Sequence, residues 1–315
     1  MRKFLLILFM FASFASSAQK IEKYYDFNWH LCEPYKARYY TSIEYKKGLW
    51  EREDYYIHEK SLQMKGNYHD SACKVPEGIF YFFHPNTKLE STGKYVNGQK
   101  DSLWLSYYSN GMMKDSTFYT NGQPTGISMG WFYDGSQRDS VNYRLNGTSV
   151  HVTWFANGNP SSAGIMIGDT QQGPWTYFHQ NGNLSAKEVY DHSKLISREY
   201  YDEDGKQMDD TSNHDRRTSF AAGEKAWAKY VLSKIYFPAG LKLVGGDQAY
   251  VVVGATIDED GKITNPEIVS PFVPEFNEIA LDMMKKAPKW LPAIDHNRKV
   301  KAEIRQPVTF AQSEY

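Results

Sequence analysis

The chain has 315 residues and a formal net charge of −1 at pH 7. A near-neutral chain lacks the basic surface that nucleic acid or anionic lipid attracts, so neither partner is expected. Aromatic residues make up 16% of the sequence, with 24 Tyr and 8 Trp. Aromatic side chains favour strands, and a β-rich protein is therefore expected.

The first 18 residues have the features of a secretory signal peptide. Two basic residues precede an apolar run from Phe4 to about Ala15, and Ser16 and Ala18 are small residues before Gln19. The run is shorter than the roughly 20 apolar residues that a transmembrane helix needs. We expect cleavage after Ala18 and export of the mature chain, with an uncleaved N-terminal anchor as the alternative.

Two cysteines, Cys32 and Cys73, follow in the exported part. Export permits oxidation, so they are either joined in a disulfide or buried as free thiols. Two cysteines without clustered histidines give little support to a zinc site, and no metal site is expected.

Residues 81–205 repeat with a period of 23 or 24 residues. Each unit carries a turn-forming Asn or Asp, with an aromatic residue three positions before it. The turn residues are Asn86, Asn110, Asp134, Asn157, Asn181 and Asp204, and the aromatic residues are Phe83, Tyr107, Trp131, Trp154, Phe178 and Tyr201. Further Asn-Gly pairs lie midway between several of these turns, so each unit predicts one hairpin of an antiparallel meander. We expect the six rings to stack into an aromatic spine that fills the sheet's own face or, alternatively, binds a ligand.

The repeats resemble MORN-type repeats, in particular the YwqK-like variety of bacterial proteins. The resemblance covers roughly residues 48–205, and it implies links to membranes and to protein contacts. Residues 19–80 contain strand-like aromatic runs and a degenerate repeat, and they are expected to cap the first edge of the sheet. Residues 206–223 are polar and unpatterned, which predicts a linker.

Residues 224–315 change to an α+β pattern. A helix that carries Tyr230 and Leu232 is followed by two strands around the turn at Asp260-Gly261. An amphipathic helix over 274–287 and a final alternating strand complete a helix-strand-strand-helix-strand order. Between the last two elements, Pro288 is expected to end the helix, Trp290 to pack into the core, and Pro292 to extend the chain before the last strand.

This segment resembles the C-terminal domain of TonB, the energy transducer of Gram-negative envelopes. The matching residues are Phe237-Pro238, "VVVGATIDEDGKI" at 251–263, the second helix, "PKWLP" at 288–292 and "QPVTF" at 306–310. The resemblance implies a periplasmic protein that docks on an outer-membrane TonB-dependent receptor, or another envelope partner, by strand addition in support of transport. It also implies possible homodimerisation through this domain. The implied binding edge is the strand formed by Arg298, Val300, Lys301, Ala302, Glu303, Ile304 and Arg305.

The chain departs from TonB in having a repeat region where TonB has an anchor and a proline-rich spacer. Force transmission from the inner membrane is therefore not implied. No catalytic motif or phosphate loop is present, so we expect a protein without enzymatic activity and without a cofactor. The alternative function is an envelope scaffold whose repeat sheet binds protein, glycan or lipid.

Overall fold

The computed structural model describes residues 20–243 and 248–312, so the predicted signal peptide lies outside the described residues. Residues 20–200 form one antiparallel sheet of fifteen strands in chain order, which confirms the predicted meander. The strands are β1 (Lys20–Tyr25), β2 (Tyr39–Lys46), β3 (Leu49–Tyr56), β4 (Ser61–Tyr68), β5 (Pro76–Phe83), β6 (Leu89–Val96), β7 (Gln99–Tyr107), β8 (Met113–Thr120), β9 (Gln123–Trp131), β10 (Gln137–Tyr143), β11 (Thr148–Trp154), β12 (Pro160–Ile167), β13 (Thr170–Phe178), β14 (Leu184–Asp191) and β15 (Lys194–Tyr200). A 3-10 helix at Pro34–Lys36 lies between β1 and β2.

The predicted turn asparagines lie along one rim of this sheet, which we call the Asn rim. Each side chain accepts a hydrogen bond from the amide two residues later, as Asn86 does from Lys88. The same side chain donates to a carbonyl in the next turn: Asn86 to Ser109, 2.8 Å, and Asn110 to Tyr133, 2.8 Å. Asn157 and Asn181 repeat the bond farther along. The asparagines therefore shape each turn and also tie consecutive hairpins together.

The predicted aromatic spine is wrong in its geometry. No two of its six rings, all of which lie in the described part, are in ring contact; instead, rings on adjacent strands meet, such as Tyr95 with Phe80 and with Trp104, each at 4.9 Å. Each repeat contributes two strands, so equivalent residues lie about 10 Å apart, beyond the range of ring contact. Five of the spine residues instead end their strands, and Tyr201 directly follows β15. The carbonyls of Phe83, Tyr107, Trp131 and Tyr201 accept hydrogen bonds from side chains of the preceding unit, as Tyr107 does from His84.

Glycines make room for the largest buried rings. Gly93 lies beneath the indole of Trp104 and Gly164 beneath that of Trp175, so that an added Cβ would be closer than 3.0 Å to ring atoms. Gly66 has the same relation to the ring of Phe80. The sheet is thus packed by ring-over-glycine pairs between neighbouring strands.

The C-terminal part contains α1 (Glu224–Lys234), β17 (Gln248–Ile257), β18 (Ile263–Ser270), α2 (Pro274–Lys285) and β22 (Ala302–Ala311), in the predicted order. Two short strand pairs accompany them: β16 (Ser219–Phe220) with β19 (Trp290–Leu291), and β20 (Ala293–Asp295) with β21 (Arg298–Val300). Helix α2 buries the predicted stripe, including Phe276 and Met283. Helix α1 buries Trp227 and Val231 instead of Leu232, which is 70% exposed.

The C-terminal part packs along the Asn rim. At one end, Tyr250 stacks on Phe27 with ring centroids 5.0 Å apart. In the middle, Ser109 donates to the carboxylate of Glu267, and the ammonium group of Lys301 lies 4.4 Å from the ring centre of Phe132. The predicted linker takes part as well, since Arg216 exchanges backbone hydrogen bonds with Ile294 and part of the segment forms β16.

Cys32 and Cys73 are free, so the expected disulfide is not formed, and both are only partly buried, so the alternative of buried thiols is met only in part. The amide of Cys32 bonds the carbonyl of Tyr24 beside β1, whereas Cys73 packs in the connection between β4 and β5 against the buried cluster around Phe80. The two thiols belong to different packing environments and are not joined.

Candidate partner-binding edge

Strand β22 is one edge of a three-stranded sheet with the order β18, β17, β22. Helix α2 packs on one face of this sheet against buried side chains of β17 and β22, among them Val251, Val308 and Phe310. Within residues 20–243 and 248–312, β22 pairs only with β17, so its other side has no strand partner.

Pro307 indicates which backbone groups point outward from this edge. Proline has no N–H and is accommodated in an edge strand where its nitrogen faces away from the neighbouring strand. Successive residues of an antiparallel strand alternate in the side to which their N–H and C=O groups point. With Pro307 outward, Glu303, Arg305 and Thr309 also point outward, whereas the even-numbered residues pair with β17.

The backbone groups of the neighbouring strand β17 alternate in agreement with those of β22. Pro307, Glu303 and Thr309 are opposite Val252, Thr256 and Tyr250. The carbonyl of Thr256 accepts a hydrogen bond from Thr264 of β18, and that of Tyr250 accepts one from Arg38. Both carbonyls therefore point away from β22, as the alternation requires.

The side chains of the outward residues are exposed, at Glu303, Arg305, Pro307 and Thr309. Those of Val308 and Phe310 are buried on the helix side. An incoming extended segment would thus meet free backbone groups at an edge whose side chains on one face are polar and accessible.

The predicted edge strand over residues 298–305 is not continuous. The prediction is wrong for its N-terminal half, which does not belong to the edge strand. Arg298 and Val300 belong to β21 and pair with β20, and the chain leaves strand geometry at Lys301. Ala302, Glu303, Ile304 and Arg305 do lie in β22. Alternation continues through the break, so the periodicity alone could not reveal that the chain turns at Lys301.

The hairpin β20–β21 holds the C-terminal part on the repeat sheet. At its tip, His296 stacks on Tyr177 with ring centroids 3.8 Å apart, and its Nδ1 lies 2.7 Å from the carboxylate of Glu188. Asn297 donates to the carbonyl of Tyr201 at 3.0 Å. Arg298 is 6% exposed, with its guanidinium 4.8 Å from the ring centre of Tyr177.

Glu188 is the buried charge at this junction and is 1% exposed. Burial alone would raise its pKa, but hydrogen bonds from His296 and Tyr190 outweigh burial and lower the pKa below its usual range. Burial lowers the pKa of Arg298. Sequence reasoning missed Glu188, although its strand places it between Ala186 and Tyr190 on the inward face, where a carboxylate needs a partner.

The proline-rich motif at 288–292 packs as expected, but the element that follows it is not the last strand. Helix α2 ends at Lys285, before Pro288, and Trp290 contacts Trp227 with ring centroids 4.9 Å apart. Pro292 precedes the hairpin β20–β21 and not the last strand, which corrects that expectation. Near the start of the domain, Phe237 packs edge-on against Phe276 at 5.2 Å, and Pro238 is buried.

A polar cleft of about 840 Å³ separates the outer face of the three-stranded sheet from the Asn rim. Its walls carry both charge signs, with Arg138 and Arg305 near Asp134, Glu267 and Glu303. Among the described residues there is no cluster of three or more side chains suited to hold a metal ion. None of the described helices has both the length and the apolarity required to cross a bilayer.

Comparison with known proteins supports the assignment of the C-terminal part. Residues 237–311 match the family model described as the Gram-negative bacterial TonB protein C-terminal. No curated protein matches the chain. This match and the α+β fold of the same part identify residues 237–311 as a domain similar to the TonB C-terminal domain.

Two solved structures show slight similarity. One is a TarM mutant of S. aureus in complex with Fondaparinux, alpha-GlcNAc-glycerol and UDP, with a TM-score of 0.21 and 14% identity over 38% of this chain and 21% of that one. The other is a GtfA/B complex bound to UDP and GlcNAc, with a TM-score of 0.19 and 14% identity over 46% and 26%. The chain spans about a fifth to a quarter of their length, and scores this low support no conclusion about fold or function.

Proposed function

We propose that this protein is a non-enzymatic, cofactor-free periplasmic adaptor that binds an envelope partner by strand addition to β22. The partner is an extended segment of an outer-membrane TonB-dependent receptor or of another envelope protein. The observation that carries the proposal is the free outer side of β22 in a domain that matches the TonB C-terminal model.

The edge suits a short extended ligand. The outward backbone groups of Glu303 and Arg305 form one stretch, and Pro307 interrupts the row of donors before Thr309. A bound segment would therefore gain its main-chain hydrogen bonds in two short blocks, and its side chains would contact the exposed residues of β22. Because this edge is exposed to water and its side chains are polar, we expect a modest affinity that comes more from main-chain hydrogen bonds than from burial of apolar surface.

The repeat sheet would hold and orient this domain. Its contacts with the C-terminal part run from Phe27 at one end to Tyr177 and Glu188 near the other. We propose that the resemblance to MORN and YwqK repeats has a structural basis of this kind, in which a long rim supports the receptor-binding domain.

The experiment is site-specific photo-crosslinking in native envelopes. A photo-crosslinker at Arg305 of β22 is expected to capture an outer-membrane protein through a segment next to its membrane domain, identified by mass spectrometry. The matched control is Asn265, which is exposed on β18 at the opposite edge of the same sheet. Equal capture at both positions, or capture at Asn265 alone, would refute binding at β22.

A second function, binding through the repeat sheet, is favoured by exposed apolar side chains on its outer face. Leu103 and Phe118 are opposite each other on β7 and β8 and are 37% and 50% exposed, and Ile127 is 56% exposed. Apolar groups left in water at neighbouring positions are candidates for a contact surface. A crosslinker at Phe118 that captures an envelope component while one at Arg305 captures none would favour this function.

A further inference from the structure

A second cavity lies where the connection between β1 and β2 and the turn after β3 meet the C-terminal part. Its volume is about 770 Å³, within the range of roughly 300–1,000 Å³ that is typical of small-molecule sites. Most of its wall is apolar or aromatic, with Phe27, Tyr35, Ile57, Leu241 and Phe272 among the lining side chains. The cavity is separate from the outer edge of β22, and none of the lining residues belongs to that strand.

Arg38 brings a positive charge into this apolar cavity. The residue is 6% exposed, and its guanidinium lies 4.2 Å from the ring centre of Phe272. Nη2 donates to the carbonyl of Tyr250, whereas Nη1 is buried and has no hydrogen-bond partner among the described residues. Within residues 20–243 and 248–312, no carboxylate forms an ion pair with Arg38.

Burying Arg38 in this way is energetically unfavourable unless an anion pairs with its guanidinium. Burying a charged group without a counterion costs several kcal/mol, and an unmade hydrogen bond adds to that cost. Burial lowers the pKa of Arg38 to about 9, so the guanidinium remains charged at neutral pH. Nearby, Nε2 of His58 is also buried without a partner. Burial and the charge of Arg38 lower the pKa of His58 to about 4, which leaves it neutral and able to hydrogen-bond a ligand.

We propose that this cavity binds a small amphiphile with one anionic head group and an apolar body. The head group, a carboxylate or a phosphate, would pair with Arg38, and the apolar body would contact the aromatic and aliphatic walls. A guanidinium presents paired donors that match both kinds of head group. The proposal does not depend on strand addition to β22, because it uses none of the residues of that edge.

Isothermal titration of the full chain with decanoate, decyl phosphate, decanamide and decyltrimethylammonium tests the proposal. Decanoate or decyl phosphate is expected to bind with one site per chain, and the neutral and cationic probes at least about tenfold more weakly, because they cannot form a charged pair. The more tightly bound anion identifies the head group. Equal affinity for decanoate and decanamide, or no binding of either anion, would overturn the proposal.

Variants locate the site. Arg38→Met is expected to weaken anion binding at least about tenfold, and Ile57→Trp to block it while Arg38 is retained. Arg138→Met is the matched control, since Arg138 lines the polar cleft and is paired with Asp115 at 2.5 Å. If Arg138→Met abolishes anion binding while Arg38→Met leaves it unchanged, the ligand lies in the polar cleft and the assignment is overturned. If Arg38→Met does not fold, Ile57→Trp and Arg38→Lys decide, with unchanged binding in both counting against the site.

One further variant examines whether the chain itself neutralises Arg38. Asp247 follows Leu243 closely in sequence and lies outside the described residues. Asp247→Asn is expected to leave the affinity for decanoate within about threefold. A tenfold or greater rise in the affinity for decanoate would identify Asp247 as the partner of Arg38. It would overturn the proposal that the guanidinium pairs with a bound anion.

Discussion

Replacing Gly164 by Ala tests whether ring-over-glycine pairs hold the repeat sheet together. An added Cβ would lie closer than 3.0 Å to several atoms of the Trp175 indole, whereas ordinary contacts are 3.4–4 Å. Trp175 is 7% exposed, and its Nε1 donates to the carbonyl of Ile165 at 3.1 Å. The indole would have to shift in a packed layer and lose this bond.

The expected cost follows from these contacts. Overpacking costs about 1–3 kcal/mol, and the lost hydrogen bond adds about 1 kcal/mol. The smaller entropy of the unfolded Ala chain returns roughly 0.5 kcal/mol. We therefore expect Gly164→Ala to lower the free energy of unfolding by about 1.5–3.5 kcal/mol, measured by urea unfolding of the full chain with circular dichroism.

A double-mutant cycle provides the control. Trp175→Phe removes the donor and shortens the ring, so it makes room for the new methyl group. The cost of Gly164→Ala in the Phe background is expected to be smaller by at least about 1 kcal/mol. A cost below about 0.5 kcal/mol for Gly164→Ala, or strict additivity with Trp175→Phe, would refute the packing argument.

Three further predictions concern the rim and the junction. Asp134 cannot donate a hydrogen bond as the asparagines of the Asn rim do, so Asp134→Asn should gain one to the carbonyl of Ala156, the equivalent acceptor. We expect the free energy of unfolding, measured in urea, to rise by about 1 kcal/mol. No rise would contradict the role of these hydrogen bonds between consecutive turns. Burial and the charge of Arg38 lower the pKa of His58 to about 4 from its ordinary value of about 6.5, so stability present above pH 6.5 is lost as pH falls toward 4, by at most about 3 kcal/mol. Thermal unfolding across that window should be less pH-dependent in His58→Phe, and an identical profile would contradict the burial argument. Glu188→Gln removes the buried charge beside His296, so hydrogen exchange should become at least tenfold faster in the hairpin of residues 293–300; unchanged exchange would show that the hairpin does not depend on this charge.

Local sequence patterns were sufficient to predict the hairpins of the repeat sheet and the main helices and strands of the C-terminal part, but not the short strands β16 and β19 to β21. The 23- or 24-residue spacing and the Asn and Asp turns indicated antiparallel hairpins, and α2 buries the stripe that its helical period indicated. Turn chemistry and periodicity act over a few residues, so they can be read from one chain.

Contacts between distant residues could not be predicted in the same way. Arg38 meets Tyr250 and Phe272 across more than 200 positions, and Glu188 meets His296 across 108. No local pattern records such pairs, because each depends on how the C-terminal part packs on the rim. The break at Lys301 was missed for a related reason: both β21 and β22 alternate, and alternation does not reveal a change of neighbouring strand.

The most direct test of strand addition is amide hydrogen exchange in β22, measured residue by residue with and without the envelope partner captured at Arg305. We expect the amides of Glu303, Arg305 and Thr309 to become protected, because they point outward, while those of Ile304 and Val308 are protected in both states. Amides of β18 should not change. Protection on β18 without a change at these three amides would contradict binding at β22, as would a bound partner that protects neither strand.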